Sequence, residues 1–119
     1  MDHTKGLAKQ TAELHSMFMS DKRIEAHPAG HSAKVLRYRT RCGQEIAVEK
    51  RVGAPVLYFT RSAAEGRIDD LSPDWLPAGR SGRNSNLNVL ETFRDRPLAR
   101  LRVTTLGTAR KALDACVSR

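Results

Sequence analysis

Residues able to do chemistry concentrate first in VLRYRTRCGQEIAVEK, residues 35–50, where arginine and glutamate alternate with apolar side chains. The period of two in a strand places Arg37, Arg39 and Arg41 on one face and Leu36, Tyr38 and Thr40 on the other. Guanidinium groups in such a row suit the phosphates of a nucleic acid. A three-residue turn at Cys42-Gly43-Gln44 would set Arg41 opposite Glu45, Arg39 opposite Ala47 and Arg37 opposite Glu49, with Tyr38 meeting Val48 and Thr40 meeting Ile46. In that register two of the arginines gain carboxylate neighbours, and Arg39 stays available to an anion.

A second concentration is GRSGRNSNLN, residues 79–88. Arg80 and Arg83 could reach phosphates, and Asn84 and Asn86 could read base edges. The same stretch also suits a turn ending in an N-cap at Asn84 or Ser85, ahead of Leu87, Leu90 and Phe93 at helical spacing. A P-loop is excluded, because the Gly-Lys-Ser/Thr ending is missing. Arg94, Arg96, Arg100 and Arg102 continue the basic run, so the candidate binding set is Arg39, Arg80, Arg83, Asn84, Asn86, Arg94, Arg96, Arg100 and Arg102.

Catalytic and metal chemistry find less support. His27 and His31 are four apart, but Pro28-Ala29-Gly30 removes the helix that would align them, and Cys42 is the one tempting third ligand. No metal or cofactor is expected. There is no G-x-S-x-G elbow, no H-E-x-x-H and no glycine fingerprint after a strand. Cys42 and Cys116 are distant and form no C-x-x-C pair, which in a reducing compartment points to free thiols.

The elements that must position these residues follow from periodicity. Residues 4–19 carry Leu7, Leu14 and Phe18 close to the spacing of one helix face, with Ala8, Thr11 and Met17 nearby and His15 at the stripe's edge. A short strand around 23–26 precedes the meander 35–61, whose third strand, VLYFT, is apolar on both faces and reads as central. A long Pro- and Gly-rich loop spans about 62–86, with Trp75 pinning it to the core. A strand at about 98–104 and a last helix, LGTARKALDACVS, whose Leu106, Ala109, Leu113 and Cys116 form the inward stripe with Ala112 widening it, complete the chain. The expected fold is a single α+β domain over 1–119: a central four- to five-stranded, mostly antiparallel sheet flanked by an N-terminal and a C-terminal helix.

That element order is similar to the core order of the restriction-endonuclease-like nucleases. The likeness implies Mg²⁺ held by an Asp and a later Asp/Glu-x-Lys. This chain departs from the pattern: Lys50 directly follows Glu49, and VLYFTR has no acid.

The net charge of +8 and pI near 10.2 point to an anionic partner. The leading expectation is a small non-catalytic module binding DNA or RNA. The alternatives are an inhibitor or adaptor docking on an acidic or nucleic-acid-binding protein surface, and a metal-dependent nuclease-like domain. No apolar run is long enough to span a bilayer and no signal-peptide pattern opens the chain, so a cytoplasmic protein without membrane contact is expected.

Overall fold

The computed structural model describes residues 9–79 and 83–117. Six strands, β1 (Ile24–Ala26), β2 (Val35–Thr40), β3 (Glu45–Glu49), β4 (Val56–Thr60), β5 (Asp74–Leu76) and β6 (Leu98–Arg102), form one sheet in the order β1-β2-β3-β4-β6-β5. Every neighbouring pair is antiparallel. The helices are α1 (Lys9–Met19), α2 (Arg61–Ala64) and α3 (Leu106–Val117), with single-turn 3-10 segments at Asp69–Leu71, Ser85–Val89 and Glu91–Phe93. The α+β architecture read from the sequence is the one observed. The additional strand, β5, lies inside the 62–86 segment and pairs with β6.

Alternation divides the sheet cleanly. Leu36, Tyr38, Ile46, Val48, Leu57, Phe59, Ala99 and Leu101 point to the first face, where Leu14 and Phe18 of α1 and Ala109, Ala112, Leu113 and Cys116 of α3 cover them. Leu7 and Ala8 lie outside the described residues. Leu106, expected to point inward, is instead among the exposed apolar residues at the start of α3, and Thr105 caps that helix by accepting from the Thr108 N–H at 3.2 Å. His15 is buried at the edge of the α1 stripe, its Nδ1 hydrogen-bonded to the Tyr38 hydroxyl at 2.6 Å.

The second face carries Val35, Ala47, Val56, Tyr58 and Leu98, covered by Leu87, Leu90 and Phe93 from the segment 83–96, which we call the strap. The apolar spacing of those three residues is realised as two 3-10 turns. Asn84 is the N-cap of the first, its side chain accepting from the Asn86 N–H at 2.9 Å.

Trp75 does not plug the core. It sits on the edge strand β5, 38% exposed, with the Arg61 guanidinium 5.7 Å from its ring centroid. Both edge strands have three residues, and Pro73 and Pro77 bracket β5. No helix among the described residues is long and apolar enough to cross a membrane.

Phe93 is fully buried between strap and sheet. Phe93→Ala is therefore expected to cost about 3–5 kcal/mol, read as a lower urea midpoint at unchanged slope. A loss below about 0.5 kcal/mol, typical of a surface site, would show that the strap is not part of the core.

Candidate nucleic-acid interface

The β2–β3 register differs by one pair step from the expected one. Arg39 faces Glu45, Arg37 faces Ala47 and Val35 faces Glu49. The cause is the turn: Gly43 takes a φ of +89°, and in a three-residue hairpin loop the left-handed residue is the last one. The loop is thus Arg41-Cys42-Gly43, closed by Thr40 N–H to Gln44 O at 2.8 Å. The faces survive the shift and the pairings do not.

Arg37, Glu45 and Glu49 are all buried on the second face, so each needs partners within the protein. Arg37 donates to Asn86 O at 2.9 Å and to Gly30 O at 3.0 Å. Glu45 Oε1 accepts from the N–H and hydroxyl of Thr92, both at 2.8 Å, while its Oε2 meets His27 Nε2 at 2.5 Å. His27 Nδ1 accepts from the Ala29 N–H at 3.0 Å, which leaves Nε2 as the donor to Glu45. Glu49 accepts from Arg51 Nε at 2.5 Å, the Tyr58 hydroxyl at 3.1 Å and Asn84 Nδ2 at 3.1 Å. These groups clamp the strap to the sheet, and with their carboxylate oxygens taken by protein donors they are not presented to a metal. Among the described residues no group of three His, Cys, Asp or Glu side chains could hold one.

The candidate set is divided accordingly. Arg80 lies outside the described residues. Arg83 binds three carbonyls, those of Phe93, Pro77 and Arg96, and burial lowers its pKa. Asn84 and Asn86 are occupied by the clamp. Arg39, the residue expected to be unpaired, is held by Glu25 at 2.7 Å. Arg94 donates to Asn88 O at 2.7 Å. Arg96 is exposed and lines a depression of about 200 Å³ with Cys42 and Glu45. Arg100 pairs with Asp74 at 3.2 Å, while Arg102 is exposed with no carboxylate partner among the described residues.

Arg102 belongs to a rim that the sequence reading missed. At the end of the sheet where β3 and β6 finish and β2 and β4 begin, the Lys50 N–H donates to Lys34 O at 2.9 Å, which sets the two lysines in direct cross-strand opposition. Burial pushes the Lys50 amine down. Arg51, half exposed, follows in the turn, and a Cβ placed on Gly53 would lie 3.8 Å from Arg102 Nη2. Lys34, Lys50, Arg51 and Arg102 therefore share one rim, with Glu49 the carboxylate engaged there. Arg39, Arg94 and Arg96 group at the opposite end, about 17 Å away along β2. On the helical side Arg23 is paired with Asp21 and Asp114 and Lys111 with Asp70. The available signal was the adjacent Lys50-Arg51 before a turn glycine, together with a register that puts Lys34 opposite Lys50.

Fold and rim together define an antiparallel α+β domain with a strapped sheet and a cationic end. The chain matches no protein-family model, no curated protein and no solved structure.

Burial acts to raise the Glu45 carboxyl, but the hydrogen bonds from the Thr92 backbone and hydroxyl and from His27 more than offset it, so its pKa lies below the ordinary 4.5. A folded pKa below the unfolded value stabilises the protein above the unfolded pKa, and that contribution is lost as pH falls through the folded value. Thermal melts from pH 7 to pH 3 are expected to show an acid-induced drop that is shallower in Glu45→Gln. Equal slopes in the two proteins would refute the role of Glu45.

Proposed function

We propose that the protein is a non-catalytic nucleic-acid-binding module of the cytoplasm, gripping phosphates with Lys34, Lys50, Arg51 and Arg102 and with Arg100 beside them. The observation that supports this reading is the Lys34–Lys50 pair. Like charges in direct cross-strand register destabilise a sheet, and phosphate oxygens placed over them would relieve the repulsion. The excess of +8 supplies the long-range attraction. Compared with the sequence reading, the phosphate contacts move from Arg83, Asn84 and Asn86 to the rim, because those three residues are engaged in holding the strap down.

The test is a fluorescence-anisotropy titration against duplex and single-stranded DNA and RNA at several salt concentrations. Binding should weaken steeply with salt, and Lys50→Gln should reduce the slope of log K against log salt by about one, uniformly across sequences. Lys50→Gln should also raise stability by a few tenths of a kcal/mol, of order 0.2–1. No binding at about 50 mM salt, or binding indifferent to salt, would refute the reading. A co-purifying protein partner without affinity for free nucleic acid would favour the adaptor role instead.

A further inference from the structure

Resting on the nucleic-acid reading above, we propose that the β3–β4 turn enters the minor groove of duplex DNA, with Val52 as its apolar contact against the groove wall. Val52 is 104% exposed, against 47% for Met19, the next most exposed large hydrophobic residue described. A lone exposed valine on a protein surface is ordinary. Its placement here is what matters, because it tops a turn whose base is the cationic rim of Lys34, Lys50, Arg51 and Arg102.

The turn is also held in place. Gly53 adopts a φ of +93°, a left-handed conformation that reverses the chain just past Val52. On one side the Lys50 N–H is bonded to Lys34 O, and on the other Pro55 O accepts from the Val103 N–H at 2.9 Å, with Ala54 buried. Val52 is therefore presented by a fixed tip rather than by a free loop.

Width selects the groove. The β3–β4 hairpin is not a free ribbon, because β2 and β6 flank it in the sheet. Four strands side by side span about 14 Å, more than the major groove of about 12 Å. The tip, one valine followed by a glycine without a side chain, is the part narrow enough for the minor groove, about 6 Å wide. With the tip seated there, Lys34, which precedes β2, and Arg102 at the end of β6 fall on either side, over the two phosphate backbones that border the groove. A lipid surface fits less well, since stable anchoring needs more apolar area than one valine provides.

An apolar contact releases no counterions, so it adds affinity without adding salt dependence. The full chain and Val52→Ser are titrated with an AT-rich duplex at three salt concentrations, with and without a minor-groove-binding polyamide on the DNA. Because Val52 makes no packing contact, the variant should melt like the parent. Val52→Ser should bind about fivefold more weakly at every salt concentration with an unchanged slope, whereas Lys50→Gln changes the slope. The polyamide should displace the parent protein. Equal affinity of Val52→Ser and parent, or binding unaffected by the polyamide, overturns the groove assignment and leaves the phosphate reading standing. Absence of salt-dependent binding by the parent removes both. Vesicle binding to phosphatidylserine that is lost in Val52→Ser, without duplex affinity, also overturns the proposal and assigns the tip to lipid.

Discussion

The structure depends on charges placed inside it. Arg37, Glu45 and Glu49 alternate with apolar residues along β2 and β3, and once the sheet forms they project from its second face at the level of Val35, Ala47 and Tyr58. Left under an apolar cover, each would carry a large desolvation cost. The strap resolves this by bringing backbone and side-chain groups of Asn84, Asn86 and Thr92 to those three residues while Leu87, Leu90 and Phe93 fill the space between. Breaking one partnership would strand a buried charge, so strap and sheet are expected to hold or fail together. Arg83 closes the strap at its base by tying three backbone carbonyls.

The sheet was legible because a period of two survives a register shift of one pair step: Leu36, Tyr38, Ile46 and Val48 share a face in either pairing. The terminal helices were legible from their apolar stripes in the same way. The strap's chemistry was not. Asn84, Asn86 and Arg83 have the composition of a binding loop, and a sequence cannot distinguish donors aimed at a phosphate from donors aimed at a buried carboxylate 35 residues earlier, as in Asn84 to Glu49. The single misplaced turn mattered more than any helix boundary. It hid the opposition of Lys34 and Lys50 and left Arg39 looking free, when Glu25 on β1 holds it.

That division separates two uses of charge in one small chain. Charges along the middle of the second face have saturated hydrogen bonding and serve cohesion. At the rim, Lys34 and Lys50 lie one step beyond the last β2–β3 ladder pair while Arg102 closes the β4–β6 ladder, and the repulsion between the two opposed lysines is a cost to the sheet.

The two edge strands have a consequence for the behaviour of many copies together. Each exposes a run of three residues, and in β5 prolines stand immediately before and after it. An incoming strand would find too few free N–H and C=O groups to establish a ladder, and the prolines prevent its extension. Edges this short and proline-bounded offer a sheet with four interior strands rich in valine, leucine and aromatic residues little template for growing sideways into fibrils.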